Sequence, residues 1–460
     1  MTAPANDAMT RALWNPAVET LPRDEIAALQ LRRLKEQVRY NHERSPVHRR
    51  KFQEVGATPS DIDSFADFTR IPVMTKDEHR RVQEESLERL GSPTALLGCA
   101  APEEIVRVSA TSGTTGIPTL YTLTAHDVAI VNEMHARKYW RTGIRPGDTM
   151  LQALSLSMFT GGLPLSQGIM HLGACCVPVG IEGGTKRVLE FARLTRPTAL
   201  IATPSFGRYV IEEAPRHTGR PATELGLRYF FCAGEGGGGD KETRDILAEG
   251  FGARVFDHTG GGHAFHGISC ECADQVEGAM HFVSDDHCLL ELVDPKDKTP
   301  IALTDGAMGE MVFTFLDWRG GPFMRYALGD LLQVWTSPCV CGKPGIRFKI
   351  LGRTDDMLTV KGMNVYPQAI AAVIARFRPE LTGAFRIRLD RPGPTVNPPL
   401  RLRVEHAGLG PDALALLEAR VTAQCRESLR VSPAFEWLPA GSIPRESGKT
   451  RLIEVVPHEG

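Results

Sequence analysis

The sequence predicts an α/β protein, with a large N-terminal region of mixed sheets and a small α+β domain at the C-terminus. Three observations carry this. Between Gly143 and Phe251, apolar runs that read as buried strands alternate with helix-like segments, the pattern of βαβ units around a parallel sheet. Between Met280 and Trp335 strand-like runs follow one another with only turns between them, the pattern of a smaller antiparallel part. After Gly352–Asp356 the chain changes to helices and strands of its own. The expected division is residues 1–351, a connection at 352–356, and 357–460.

Taken in order, Glu25–Tyr40 sets Ile26, Leu29, Leu31, Leu34 and Val38 at roughly helical spacing, an amphipathic helix. IVRVSA (105–110), DTMLQALSLS (148–157) and GACCVPVG (173–180) are strand-like, the last two separated by the glycine turn FTGG (159–162). Val188–Leu194 is helix-like, TALIATPS (198–205) and LRYFFCAGEG (227–236) are strands, and DKETRDILAEGF (240–251) is a helix. CLLELVD (288–294), EMVFTFL (310–316) and DLLQVW (330–335) form the antiparallel part. Two helices, QAIAAVIARF (368–377) and DALALLEARVTAQCRESL (412–429), flank the strand LRLRVE (400–405), and DRPGPTVNPPL (390–400) is a proline-rich loop.

Composition excludes several classes. With 53 Lys+Arg against 55 Asp+Glu, the 460-residue chain lacks the basic excess of a nucleic-acid protein. MTAPANDAMTRALWNP has no basic region followed by an apolar run, and no apolar stretch approaches the roughly 18 residues of a membrane span. A soluble, cytoplasmic protein is expected, with no membrane partner. Ten cysteines, clustered late in a chain of this kind, point to metal rather than disulfides.

The stretch SATSGTTGIPTL (109–120) carries the first chemistry. Gly113 and Gly116 free the backbone, and Thr111, Ser112, Thr114 and Thr115 offer hydroxyls, a combination that wraps polyphosphate. It is not a lysine-bearing P-loop, because Ile117 stands after Gly116. Taken alone, it reads nearly as well as a Ser/Thr-rich surface turn. Far downstream, SIPRESGKTR (442–451) places Lys449 after a glycine.

Together these segments resemble the adenylate-forming enzymes, in which a C-terminal P-R-x-x-S-G-K segment brings its lysine to the substrate carboxylate and the α-phosphate; Lys449 matches that lysine. GRTDDMLTVKGMNVYP (352–367), RYALGD (325–330), IPVMTKDEHR (71–80) and the N-terminal WNPAVETLPRDEIAALQLRRL (14–34) narrow the resemblance to the phenylacetate–CoA ligase family over essentially the whole chain. The resemblance implies ATP, Mg²⁺ and coenzyme A as cofactors, an aromatic or arylacetic carboxylate as substrate, and the homodimer common among such enzymes. It assigns ribose binding to Asp330, a place near ribose and phosphates to Arg353, the hinge to Asp355, and the adenine edge to CAGEGG, with Ala233, Gly234 and Glu235. FTGG would flank the acyl pocket. FDHTG (256–260) stands where the superfamily carries aromatic-G-x-[ST]-E. Phe256 is then expected to stack on adenine beside Asp257, His258 and Thr259, while Gly260 replaces the magnesium-binding glutamate, leaving Asp257, Glu235 or water to substitute. His258, His263 and His266 are not supplied by that motif. Two other readings fit the residues: an adenylating enzyme with a non-CoA acceptor, and a non-catalytic nucleotide-binding member.

Cys272 and His281 (C-x8-H) with Cys339 and Cys341 (C-V-C) would suit a tetrahedral structural Zn²⁺. Cys270 and His287 are rival ligands, and buried free thiols are the plain alternative. Relatives in the resembled family carry E-C, L-H and P-C-x-C-G runs, matched here by Glu271–Cys272, Met280–His281 and Pro338–Gly342.

Overall fold

The computed structural model describes residues 11–110, 118–157, 161–276, 278–354, 356–360, 363–391, 393–444 and 452–456. Thr111, Ser112, Gly113, Thr114, Thr115, Gly116, Phe159, Asp355 and Lys449 lie outside the described residues.

The N-terminal helix is α1 (Arg23–Arg44), and β1 (Ile105–Ala110) and β2 (Leu120–Thr124) form a two-stranded sheet. Next come α2 (Ala125–Thr142), β3 (Thr149–Gln152), α3 (Leu163–Leu172), β4 (Cys175–Pro178), α4 (Gly184–Thr195), β5 (Ala199–Ala202), α5 (Pro204–Thr218), β6 (Tyr229–Cys232), α6 (Lys241–Phe251) and β7 (Arg254–Thr259). Strands β4, β3, β5, β6 and β7 are parallel neighbours. Their sequence explains why. Met150, Ala199, Ile201, Tyr229 and Phe231 face α2 and α3, whereas the alternating residues Leu151, Leu200, Ala202, Phe230 and Cys232 face α4, α5 and α6. A sheet apolar on both faces must be covered on both.

The expected antiparallel part is not separate. It comprises β8 (Gly267–Ser269), β9 (Met280–Phe282), β10 (Cys288–Val293), β11 (Met308–Phe315), β12 (Tyr326–Trp335) and β13 (Arg347–Arg353), and it continues the same sheet in the order β10-β11-β12-β13-β9-β8-β7-β6-β5-β3-β4. Strand β7 is the seam. Its Arg254–Asp257 portion pairs in parallel with β6, and His258 and Thr259 pair antiparallel with Ile268 and Gly267. The C-terminal part has its own sheet, β14 (Leu381–Leu389), β15 (Leu400–His406), β16 (Pro433–Pro439) and β17 (Ile453–Val455), with α7 (Pro367–Ala375) and α8 (Pro411–Leu429). Its apolar core runs from Leu358 to Val431 and shares no residue with the others. Within the proline-rich loop, Thr395 and Val396 pair with Thr359 and Val360. Among the described residues, no helix is long and apolar enough to cross a membrane.

Helix α2 is buried along much of its surface yet carries several charges. Asp127 caps its own helix at Thr124 and accepts the N–H groups of Arg319 and Gly320. Arg137 forks onto Asp286 at 2.7 and 3.1 Å, and Arg141 meets Glu19 at 2.7 Å and the Pro344 carbonyl at 3.1 Å. Removing one partner of a buried pair strands the other, at a cost of about 3–5 kcal/mol. Glu19→Ala is therefore expected to lower unfolding free energy by about that amount in urea titrations. Lys35→Ala, which breaks the exposed pair with Asp63, should be indistinguishable from the parent. Equal effects of the two would contradict this account.

Candidate active site

A cleft of about 440 Å³ opens where β6 and β7 end, bounded by β13 and by the first turn of α7. Crevices at the carboxyl ends of parallel strands are the usual ligand sites of such sheets. Gly234, Glu235, Asp257, His258, Thr259, Asp330 and Arg353 all line it. So do Met280 and, not singled out by sequence reasoning, Asp240, Lys349 and Gln368. Gln368 lies so close over Gly236 that a Cβ there would sit 2.8 Å from its side chain.

Asp330 and Arg353 face each other on β12 and β13, and Arg353 Nη1 donates to Asp330 Oδ1 at 3.1 Å while Nη2 donates to the Leu328 carbonyl. Glu235 Oε1 accepts the Ser205 N–H at 2.7 Å, so this carboxylate serves the first turn of α5. Asp257 lies under Gly238 and Gly239, where a Cβ on Gly238 would fall 2.4 Å from its Oδ1. Burial, reinforced by Asp240, lifts its carboxyl to about 7. Burial holds His258 well below the ordinary histidine value, so it is a neutral imidazole, with Nε2 3.4 Å from the Tyr139 hydroxyl.

Two expectations need correction. Phe256 does not face the cleft. It lies at mid-strand in β7, buried against Phe231 and Tyr229, because alternation along the strand turns it into the core beneath the sheet. Ala233 is also a core residue, its N–H donated to the Ala202 carbonyl, and Gly234 and Glu235 form the cleft wall instead. Gly260 has φ +90°, and a Cβ on it would lie 2.4 Å from the Phe265 carbonyl oxygen and 2.6 Å from His266 Cγ. A glutamate is excluded by the backbone there. His266 is buried and His263 half-buried, and desolvation depresses both.

A second cluster lies behind the sheet. Cys270, His281, Cys339 and Cys341 place their ligand atoms within 4.8 Å of one another. Cys270, not Cys272, is therefore the fourth member. His281 pairs with Ile268, and residues two apart on a strand share a face, so Cys270 follows Ile268 onto the face of His281. By Cys272 the chain has entered a short helical turn whose N–H groups at Gln275 and Val276 bond the Cys272 carbonyl. Cys270 Sγ is 3.9 Å from Cys339 Sγ, and Cys341 Sγ is 3.3 Å from His281 Nε2. The Cys341 thiol is pulled down by the hydrogen bond from Cys270, with His281 adding to it, and Cys270 is raised correspondingly. His281 Nδ1 lies 3.3 Å from the Pro344 carbonyl, which makes it the protonated nitrogen and leaves Nε2 as a lone pair facing the thiols.

Comparison with known proteins agrees with this architecture. The family model described as AMP-binding enzyme matches residues 40–312, and that of the AMP-binding enzyme C-terminal domain matches 362–454. The chain is 34% identical to a phenylacetate–coenzyme A ligase of Thermus thermophilus, covering 96% of this chain and 99% of the relative. It is 30% identical to the Escherichia coli enzyme of the same name, covering 94% and 95%. It superposes on 2-hydroxyisobutyryl-CoA ligase in the postadenylation state with TM-score 0.85, at 28% identity over 97% of this chain and 92% of that one. On the same enzyme in the thioesterification state the TM-score is 0.68, at 28% identity over 96% and 92%. A full-length match of this kind, over a sheet whose strand ends form the cleft, shows that the chain belongs to the phenylacetate–coenzyme A ligase family of the AMP-binding enzymes.

Proposed function

We propose that this protein is an AMP-forming acid–thiol ligase that activates an aromatic or arylacetic carboxylate with ATP and transfers the acyl group to coenzyme A. The observation that carries the reading is the cleft itself. It joins the Asp330–Arg353 pair, the β7 end and the first turn of α7 in one nucleotide-sized space. In the first step a carboxylate oxygen attacks the α-phosphorus of ATP and pyrophosphate leaves. In the second the coenzyme A sulfur attacks the acyl carbon, and AMP leaves. Neither step needs a nucleophilic side chain, so positioning and charge neutralisation do the catalysis. The Asp330 carboxylate accepts the ribose hydroxyls. We assign phosphate contacts to Thr111, Ser112, Gly113, Thr114, Thr115 and Gly116, charge stabilisation to Lys449, and the pivot between residues 1–351 and 357–460 to Asp355. The higher TM-score against the postadenylation state supports a first-step disposition of the C-terminal part here. ATP and coenzyme A supply suits a cytoplasmic setting.

Magnesium belongs to the family's use of ATP. Among the described residues no three carboxylates or imidazoles converge in the cleft, which suits an ion that keeps several waters and needs few protein ligands. The cysteine cluster fits zinc better. Its ligand types, its count of four and its spacing within 4.8 Å suit a closed tetrahedral site whose role is structural.

A panel of aryl, arylacetic and aliphatic acids, assayed for pyrophosphate and AMP release with and without coenzyme A, tests the reaction. Sustained turnover is expected only with an aromatic or arylacetic acid and coenzyme A together. AMP formation with none of the acids would refute the reading. Lys449→Ala should slow adenylation on the order of a hundredfold to a thousandfold, with ATP affinity nearly intact; adenylation at the parent rate would remove Lys449 from its role. For the metal, protein purified without added zinc should carry about one equivalent. Cys270→Ser should lose it and Cys272→Ser should keep it, and the reverse result would restore Cys272 as the ligand.

A further inference from the structure

The three glycines after β7 present an arrangement that the motif resemblance does not explain. Lys138, on α2, is wholly buried, and its Nζ donates to the Thr259 carbonyl at 3.2 Å and the Gly260 carbonyl at 2.9 Å. One turn earlier on the same helix, His135 Nε2 donates to the Gly261 carbonyl at 2.9 Å. Three successive carbonyls are thus drawn to α2. In a trans peptide the N–H points opposite to the preceding C=O. The N–H groups of Gly260, Gly261 and Gly262 are therefore turned away from the helix. None of them donates to a protein backbone or side chain among the described residues. Successive N–H groups in a glycine turn with positive φ make a concave site for an anion.

A second observation points the same way. The Ser109 and Tyr121 hydroxyls, each 1% exposed, face each other across β1 and β2, and among the described residues neither meets any other hydrogen-bonding group. Both abut the bare Cα of Gly262, where a Cβ would lie 2.8 Å from the Tyr121 oxygen and 3.3 Å from that of Ser109. A buried polar atom left unmatched is costly, so matching by a ligand is a physical reason to keep it. Ser109 is the penultimate residue of β1, two residues before Thr111, so the turn lies between the base of the Ser/Thr loop and Thr259 in the cleft wall. Lys138 has no carboxylate partner among the described residues, and burial holds it well below the ordinary lysine value, so it fixes the turn as a hydrogen-bond donor to the Thr259 and Gly260 carbonyls.

We propose that the N–H groups of Gly260, Gly261 and Gly262, with the Ser109 and Tyr121 hydroxyls, form an anion cradle for the reacting group, either the substrate carboxylate or a phosphate oxygen of the nucleotide. Lys138 and His135 are its positioning residues. This deepens the ligase reading and rests on it. The cradle takes the place that a magnesium-binding glutamate would hold, by meeting negative charge directly instead of through a metal.

Binding to the full-length protein tests this without turnover. Phenylacetate, pyrophosphate and adenosine are titrated separately by calorimetry. In the Ser109→Ala/Tyr121→Phe double variant, phenylacetate or pyrophosphate should bind about tenfold more weakly, while adenosine, which lacks an anion, stays within about twofold. Loss confined to phenylacetate identifies the carboxylate as the occupant; loss confined to pyrophosphate identifies phosphate. Lys138→Met should reproduce the pattern and Lys138→Arg, which retains donors, should recover most of it. Unchanged affinity for both anions in the double variant overturns the proposal. So does an equal loss of all three ligands, which would report a loosened fold. An enzyme that turns over no acid yet shows the selective anion loss would sink the ligase reading and leave the cradle standing.

Discussion

Helix α2 is the constraint on which the rest of the large region depends. Through Asp127, His135, Arg137, Lys138 and Arg141 it is bonded to segments near residues 19, 260, 286, 320 and 344. These groups are nearly inaccessible to water, so each must be matched within the protein. The helix therefore does more than cover the sheet. It sets where the N-terminal segment, the strand β7 exit and the loop after the cysteines come to rest. The turn beside the cleft and the loop after the cysteine pair are held by Lys138 and Arg141, one turn apart on the same helix.

That dependence also explains what was legible in the sequence. The parallel strands were, because Tyr229–Cys232 and Ala199–Ala202 are apolar on both faces and short. The helix at Glu25–Tyr40 was, because one face repeats. Asp330, Arg353, Gly234 and Glu235, far apart in sequence but joined by the motif resemblance, line one cleft. Phe256 did not, since a motif fixes an order of residues and cannot say which face of a strand an aromatic ring takes. Cys270 was passed over for Cys272 because spacing along the chain does not reveal where a strand stops and alternation with it. The seam at β7 was invisible for a related reason. One strand serving parallel and antiparallel neighbours in turn carries the apolar pattern of either.

Gly260 shows how a departure from a motif can be structural. At φ +90° and with the Phe265 carbonyl against it, the position selects glycine, so the turn itself leaves no room for a carboxylate side chain there. Glu235 is engaged at a helix start, and Asp257 is held near neutrality by burial.

The separate C-terminal core has a consequence for how the molecule comes apart. Leu358 to Val431 close an apolar cluster without borrowing a residue from the N-terminal clusters, whereas those clusters are cross-linked through α2. Units that do not share a core open independently, with free energies set by their own burial. Amide protons of β14 and β15 should therefore exchange with solvent on one timescale and those of β5 and β6 on another. Thermal unfolding then becomes two transitions whose spacing reports the grip of the first turn of α7 on the cleft, a grip that a bound nucleotide would tighten by mass action.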